Sequence, residues 1–130
     1  MMIDHAFLIQ EAIKAAQNAY APYSNYPVGA ALLAKDGAIY RGCNVENAAY
    51  GSSICAERTA VFKAVSEGQH DFEVIAVATV NGGSPCGACR QVLREFAPTL
   101  TIIITDFEGN HRTTTLADLL PDNFGPQNLV

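Results

Sequence analysis

The sequence has 130 residues, 49% of them hydrophobic and only 16% charged, and its formal net charge is −5. This length suits a single domain, which we expect to span residues 1–130. The acidic balance, with eight scattered lysines and arginines, excludes a nucleic acid polymer as partner, because phosphate contacts need clustered positive charge.

The first half of the chain is predicted to form a helix and then a hairpin. A helix is expected over residues 4–19, where apolar side chains recur at helical spacing. These side chains are Phe7, Ala12, Ile13, Ala16 and Tyr20. Residues 27–34 are apolar without polar alternation, which indicates a strand buried on both faces. Asp36-Gly37 predicts a tight turn, from which a second strand returns over residues 38–44.

The second half alternates helices and strands. Helices are predicted at residues 55–67, at 87–96 and from Thr115 to before Pro121. Strands are predicted at residues 73–80, 99–105 and 111–114. The complete order α-β-β-α-β-α-β-β-α predicts an α/β fold. We expect three layers, α/β/α, around a mixed sheet of about five strands.

The sequence shows no segment for targeting or membrane insertion. Its start lacks the basic residues and apolar run of a signal peptide, and no apolar stretch approaches the roughly 18 residues of a membrane span. We therefore expect a cytoplasmic protein whose four cysteines stay reduced. The low charged fraction also predicts more apolar surface than one small core can hide, which favours a homo-oligomer.

Three of the cysteines stand at the starts of two predicted helices. They occur in Cys55-Ala56-Glu57 and in Pro85-Cys86-Gly87-Ala88-Cys89. Thiolates from two helix starts can converge on one tetrahedral Zn²⁺ and leave its fourth position to water, as in catalytic zinc sites. Exposed N–H groups at helix starts also favour the thiolate form. The pattern predicts one zinc ion per chain, held by Cys55, Cys86 and Cys89.

Other uses of these cysteines stay open at the level of the sequence. A C-x-x-C spacing also occurs in redox pairs, which would hold no stoichiometric zinc. A structural zinc would need a fourth ligand, but Cys43, His5, His70 and His111 all lie far from the other ligand candidates in sequence. Cys43 by itself fits a small buried core residue.

Glu57 follows Cys55 by two residues and falls in the first turn of its helix. A glutamate there can be a surface residue that favours the helix N-terminus. Beside a zinc-activated water, however, a carboxylate is the group that moves protons. Glu57 is therefore the candidate catalytic residue.

Several stretches together resemble the cytidine deaminase family, in its small homotetrameric branch. They are Tyr23-Ser24 with residues 27–32 (PVGAAL), residues 42–50 (GCNVENAAY), 55–60 (CAERTA) and 85–91 (PCGACRQ), and Leu119-Leu120-Pro121 followed by Phe124. The resemblance implies a cytidine deaminase-like fold and one Zn²⁺ per chain. It also implies the hydrolytic deamination of cytidine and 2'-deoxycytidine in pyrimidine salvage, with Glu57 transferring the protons.

The resemblance also implies which residues bind the nucleoside. Asn44 and Glu46 are two apart in an extended segment, so both can point the same way, although a solvated loop pair would fit as well. In the family this pair binds the ribose, with Glu46 accepting from the 3'-hydroxyl. Tyr26 stands where the family usually has phenylalanine beside the pyrimidine, and its hydroxyl needs a partner. Ala56 is expected among the substrate contacts.

Three further residues receive roles from the same resemblance. Zn²⁺ with three thiolates carries one net negative charge, and Arg58 is expected to donate to the thiolates and withdraw part of it. Tyr50 and Phe124 match positions that reach the site of a neighbouring subunit, which implies a homotetramer with active sites completed across subunits. As isolated residues, both could simply pack in a core or an interface.

Two alternative functions are compatible with the zinc motif. Within the same fold, a blasticidin S-type deaminase is possible, although Asn44, Glu46 and Arg58 favour a plain nucleoside. Deaminases of deoxycytidylate, guanine and tRNA adenosine generally have histidine where this chain has Cys55. From a different class, a non-catalytic zinc-binding module would need a closed four-ligand site without exchangeable water.

Overall fold

The computed structural model describes residues 4–129. Its helices are α1 (His5–Ala16), α2 (Ala56–Ser66), α3 (Gly87–Phe96) and α4 (Leu116–Leu119). Its strands are β1 (Gly29–Ala34), β2 (Ile39–Cys43), β3 (Phe72–Ala78), β4 (Thr101–Thr105) and β5 (His111–Thr115). Short 3-10 segments cover Tyr50–Ser52 and Pro126–Asn128. The predicted order of helices and strands is confirmed.

The five strands form one mixed sheet in the order β2-β1-β3-β4-β5. Strand β1 pairs antiparallel with both β2 and β3, β3 pairs parallel with β4, and β4 pairs antiparallel with β5. The tight turn between β1 and β2 is present, and Gly37 adopts a φ of +91° there, which a residue without Cβ tolerates best. Helix α3 makes the crossover that the parallel pair requires.

The central strands are buried on both faces, as their apolar sequences predict. In β1, Ala31 and Leu33 pack in the cluster that contains α1, whereas Ala30, Leu32 and Ala34 pack in the cluster that contains α2 and α3. The same alternation continues through β3 and β4, since successive side chains of a strand point to opposite faces. Helix α1 therefore covers one face of the sheet, and α2 and α3 cover the other, giving the expected three layers.

Helix α1 differs from its prediction in its end and in its buried face. It ends at Ala16, because the N–H groups of residues 17–19 donate to carbonyls three residues back and tighten the chain into a turn. Phe7 and Tyr20, predicted on the apolar face, are 48% and 58% exposed. The face that packs on the sheet is instead formed by Leu8, Ile9, Ala12, Ala15 and Ala16.

Two smaller predictions also need correction. Strand β1 begins at Gly29 rather than at residue 27, because the N–H of Val28 donates to the side chain of Asn44 at 2.9 Å instead of joining the sheet. Cys43 is half-buried at the end of β2 rather than part of the core, and it lines a groove with Lys63. Among the described residues, no helix combines the length and the apolar character that crossing a bilayer requires.

Candidate metal and catalytic site

The three cysteines of the motif meet where α2 and α3 begin. Cys55 is the N-cap residue of α2, Cys86 is the N-cap residue of α3, and Cys89 lies in the first turn of α3. The Sγ atoms of Cys55 and Cys86 are 3.7 Å apart, those of Cys86 and Cys89 are 3.3 Å apart, and all three lie within 4.8 Å of one another. Two helix starts thus bring together thiols that are 31 residues apart in the chain.

This cluster fits one zinc ion. In a tetrahedral site with Zn–S bonds of about 2.3 Å, neighbouring sulfurs are about 3.8 Å apart, which matches the observed separations. All three thiols are free, and within residues 4–129 no fourth cysteine or histidine joins the group. Cys89 is buried and Cys86 is exposed, so the cluster is open on one side. Three protein ligands with an open side are typical of catalytic zinc rather than structural zinc.

Arg58 stands beside the sulfur cluster. Its Nη2 lies 3.3 Å from the Sγ of Cys55, and its Nε is buried without a hydrogen-bond partner among the described residues. The hydrogen bond with Cys89, followed by that from Arg58, lowers the pKa of the Cys55 thiol. The hydrogen bond with Cys55, together with burial, raises the pKa of the Cys89 thiol. The arrangement therefore favours a negative sulfur at Cys55.

Glu57 is buried next to these sulfurs. It lies in the first turn of α2, is only 4% exposed, and lines the same cavity as Cys55 and Cys86. Burial raises the pKa of Glu57 to about 7, and a divalent cation bound by the cysteines would act in the opposite direction. A carboxyl group balanced between these two influences can both accept and release a proton near neutral pH.

The cavity beside Glu57 has a volume of about 250 Å³, which suits a small molecule. Among the described residues its lining comprises Ser24, Tyr26, Val28, Asn44, Glu46, Cys55, Glu57, Val77, Thr79, Gly83, Ser84 and Cys86. The structure therefore brings Tyr26, Asn44 and Glu46 together with the predicted metal and catalytic residues. Ala56 is the buried first residue of α2, directly between Cys55 and Glu57.

Asn44 and Glu46 face the cavity, but their side chains also hold the loop that precedes β1. The amide of Asn44 accepts from the N–H of Val28 and donates to the carbonyl of Tyr26, both at 2.9 Å. Oε1 of Glu46 accepts from the N–H groups of Tyr23 and Ser24 at 3.0 Å, and Oε2 accepts from the Ser24 hydroxyl. These bonds, led by those from Ser24, lower the pKa of Glu46, so it is a carboxylate with further lone pairs available.

Sequence reasoning missed the part of the wall that comes from the segment between β3 and α3. Thr79, Gly83 and Ser84 line the cavity, although none belongs to a recognised chemical motif. The position of Ser84 just before the Pro-Cys pair was the available signal. The hydroxyl of Tyr26, which needed a partner, donates to Oδ1 of Asn81 at 2.6 Å.

Tyr50 and Phe124 do not join the other predicted site residues. They are 71% and 57% exposed, and neither lines the cavity described here. The ring of Tyr50 packs edge-on against Tyr23, with centroids 5.8 Å apart. The carbonyl of Phe124 accepts a 2.9 Å hydrogen bond from the side chain of Gln91 on α3. Both aromatic rings are thus presented outwards from this chain.

Known proteins with similar sequences match nearly the whole chain. The cytidine deaminase of Sporosarcina psychrophila is 53% identical over 125 residues, covering 94% of this chain and 92% of the relative. That of Halalkalibacterium halodurans is 48% identical over 130 residues and covers 98% of both chains.

Solved structures with a similar fold are also those of cytidine deaminases. The cytidine deaminase from Burkholderia pseudomallei superposes with a TM-score of 0.90 at 50% identity, covering 94% of this chain and all of the other. That from Mycobacterium tuberculosis superposes with a TM-score of 0.84 at 42% identity, covering 95% and 99% of the two chains. Residues 2–105 match the family model described as the cytidine and deoxycytidylate deaminase zinc-binding region. With its three-cysteine cluster and buried glutamate, this chain belongs to the cytidine and deoxycytidylate deaminase family.

Proposed function

We propose that this chain catalyses the zinc-dependent hydrolysis of cytidine and 2'-deoxycytidine to uridine and 2'-deoxyuridine, with release of ammonia. The observation that carries this proposal is one cavity lined by two of the clustered cysteines, the buried Glu57 and the polar pair Asn44 and Glu46. Membership of the deaminase family and the names of the relatives support it. The reaction would serve pyrimidine salvage.

The chemistry is divided between the metal site and one carboxylate. Cys55, Cys86 and Cys89 would hold Zn²⁺, which when bound would supply Lewis-acid activation of water. Glu57 accepts a proton from the water molecule that attacks ring carbon 4. Glu57 then delivers a proton to ring nitrogen 3 and transfers another to the departing amino group, so that water and cytidine become uridine and ammonia.

Residues of the cavity wall hold and orient the nucleoside. We place the ribose against Asn44 and Glu46, because an amide and a carboxylate suit hydroxyl groups and both already have fixed orientations. We place the base against the ring of Tyr26, which is one of the residues that line the cavity, with Ala56 next to the reacting end. Arg58 acts through Cys55 by withdrawing negative charge from the metal site.

We further propose a homotetramer in which Tyr50 and Phe124 complete the active site of a neighbouring subunit. One support is that both residues are exposed, because exposed aromatic residues often mark an interface. A second is that both match positions that reach a neighbouring subunit in the family. The proposed unit of function is one deaminase domain spanning residues 1–130. Free thiols at a metal site suit the cytoplasm, where they stay reduced.

The test is to incubate the purified protein with cytidine, follow the fall in cytidine absorbance, and measure zinc in the same sample. Conversion to uridine with about one zinc per chain is the expected result. Full zinc occupancy without conversion would redirect the proposal to another amino-heterocycle, with blasticidin S assayed next. Zinc that resists exchange and no turnover of either compound would instead indicate a non-catalytic module.

A further inference from the structure

Two loops that contribute residues to the cavity wall are joined, in the part of the chain that the structure describes, by a side-chain hydrogen bond. One loop precedes β1 and contains Tyr26, and the other follows β3 and leads to Cys86. The hydroxyl of Tyr26 donates to Oδ1 of Asn81 at 2.6 Å, across 55 residues of sequence. We call this contact the Tyr26–Asn81 bridge. Tyr26, Thr79 and Gly83 are among the residues that line the cavity, and Asn81 stands between the last two in the chain.

The Asn81 end of the bridge is fixed by the sheet. Thr79 is buried directly after β3, and its N–H donates to the carbonyl of Thr105 at 3.1 Å. The Thr79 hydroxyl accepts from the N–H of Gly83 at 2.7 Å and lies 3.5 Å from the same Asn81 oxygen that binds Tyr26. Residues 79–83 therefore form a closed turn that holds the acceptor in place.

The Tyr26 end is fixed by the residues proposed to hold the ribose. The Tyr26 carbonyl accepts from Asn44, and its N–H donates to the hydroxyl of Ser24 at 3.1 Å. Ser24 is in turn bound by Glu46. Hydrogen bonds thus hold Tyr26 both at its backbone and at its hydroxyl, which restricts the movement of the ring between them.

Gly83 provides the space that the tyrosine hydroxyl occupies. A Cβ at this position would lie 2.6 Å from the Tyr26 oxygen, which is closer than atoms can approach. The backbone of Gly83 is outside the left-handed region, unlike that of the adjacent Gly82 at a φ of +70°. The Tyr26 hydroxyl can therefore keep its place only if position 83 has no side chain, and the backbone conformation there does not itself require glycine.

We propose that Asn81 is a positioning residue that holds the Tyr26 ring against the pyrimidine base, and that Gly83 makes room for this bridge. The inference rests on the proposed function. A ring that is ordered before the substrate arrives loses little conformational freedom on binding, which favours the complex. Because the ring would pack on the base without transferring a proton, we expect it to stabilise the substrate complex and the transition state equally, so that its loss raises KM rather than lowering kcat.

The first test compares cytidine kinetics of Tyr26→Phe, Asn81→Ala and the double variant. Each single variant is expected to raise KM about 3- to 10-fold with kcat changed less than twofold, since each removes one hydrogen bond. The double variant should be no worse than either single variant, because both remove the same contact. Additive effects, or a fall in kcat with KM unchanged, would overturn the proposal. Tyr20→Phe, at an exposed tyrosine outside the cavity, is the matched control and should leave both constants unchanged.

The second test uses Gly83→Ala in two backgrounds. In the natural background the new methyl group displaces the hydroxyl, and we expect KM to rise at least as much as in Tyr26→Phe. In the Tyr26→Phe background the hydroxyl is absent, and the same substitution should add less than a twofold change. An equal effect in both backgrounds would overturn the role assigned to Gly83.

The urea denaturation midpoints of the same variants test whether the Tyr26–Asn81 bridge exists, independently of the catalytic activity. If the contact exists, the shifts caused by Tyr26→Phe and Asn81→Ala are not additive in the double variant. A natural chain that binds zinc but does not turn over cytidine would overturn the proposed function and the kinetic role with it. Additive midpoint shifts in an active enzyme would overturn the bridge alone.

Discussion

Glu57 shows how position decides the chemistry of a single residue. A glutamate in the first turn of a helix is usually exposed and ionised, but here the start of α2 is covered by the sheet and by α3. The carboxyl group is therefore buried beside the sulfur cluster, where burial raises its pKa. A proton carrier needs this sensitivity to neighbouring charge, because it must accept and release protons within one turnover.

Replacing Glu57 by glutamine tests the role of the carboxylate. Glutamine keeps the size and hydrogen bonding of the side chain but cannot carry a proton, so we expect turnover of cytidine to fall about 10²- to 10⁴-fold. Zinc content should stay at about one ion per chain, because the three cysteines are unchanged. Glu67→Gln, at the exposed end of the same helix, is the matched control. Turnover of Glu57→Gln within tenfold of the natural protein would contradict the assignment.

At the scale of elements, the site depends on how closely α2 lies on the sheet. Gly42 of β2 has no side chain, and a Cβ there would lie 2.4 Å from the carbonyl oxygen of Ala56 and 2.6 Å from the nitrogen of Ala60. The helix backbone therefore rests directly on this strand. Because Cys55 is the N-cap of α2 and Glu57 lies in its first turn, this contact determines where the proposed zinc ligand and the proposed proton carrier stand.

Gly42→Ala is expected to push α2 away from β2. The clash involves backbone atoms that cannot rotate aside, so we expect the free energy of unfolding to fall by roughly 1–3 kcal/mol, with loss of turnover. Urea denaturation at one fixed protein concentration measures the effect. Gly51→Ala is the control, because a Cβ at Gly51 meets no atom within 4 Å. Equal stability of the two variants would contradict the close approach.

A charged contact joins α1 to the edge strand β2. Glu11 is buried on α1, and its carboxylate binds the guanidinium of Arg41 and the ammonium group of Lys14, the latter at 3.4 Å. The hydrogen bond from Arg41 is the main cause that lowers the pKa of Glu11 below 4.5. A group with a lowered pKa contributes stability above its unfolded pKa, and this contribution is lost as the pH falls through the folded value.

Glu11→Gln should therefore be less stable than the natural protein at pH 7, by about 1 kcal/mol, because Arg41 is partly exposed and solvent weakens the pair. The difference should shrink as the pH falls below 4.5, the unperturbed pKa of the carboxyl group. Urea denaturation of both proteins at pH 7 and near pH 3.5 checks this. Zinc loss at low pH destabilises both proteins alike, so it does not affect the difference between their free energies of unfolding. A difference that is independent of pH would show that packing, not charge, explains the effect.

At the scale of the whole molecule, two aromatic residues, Tyr50 and Phe124, are exposed on the surface of this chain. Tyr50 and Phe124 project from segments that α3 and the loop before β1 hold in place. On the C-terminal side, Arg94 binds Asn123 at 2.5 Å and Gln127 at 2.8 Å, so the segment that carries Phe124 is anchored at several points. A firmly held, exposed aromatic ring suits an interface between subunits.

Sharing of active sites between subunits can be tested by complementation. Phe124→Ala and Glu57→Gln are each expected to be nearly inactive alone, and Phe124→Ala should still bind zinc. When the two are expressed together, a site with an intact Glu57 can receive Phe124 from a neighbour. Random assembly then restores about one quarter of the sites, and turnover should rise to about that fraction. Coexpressed Glu57→Gln and Glu57→Ala chains are the control. Activity equal to the sum of the two parents would contradict the shared site.

Most of the fold was predictable because its signals are local. The Asp36-Gly37 turn, the doubly buried strand β1 and the two cysteine-bearing helix starts all follow from neighbouring residues, and all are confirmed. The buried face of α1 was predicted incorrectly for Phe7 and Tyr20. The helical spacing of apolar residues shows that the helix has an apolar face. Which of these residues are buried depends on how the helix packs on the sheet and on where it ends.

The sequence by itself determined the order of the elements, the three thiols for zinc and the neighbouring glutamate, because these depend on short-range periodicity and on fixed spacings. Only the tertiary structure decided that Glu57 is buried, that Glu46 binds the loop at Ser24, and that Tyr26 reaches Asn81. Such contacts join segments that are far apart in the chain. They exist only once the helices have packed on the two faces of the sheet, so no local pattern can encode them.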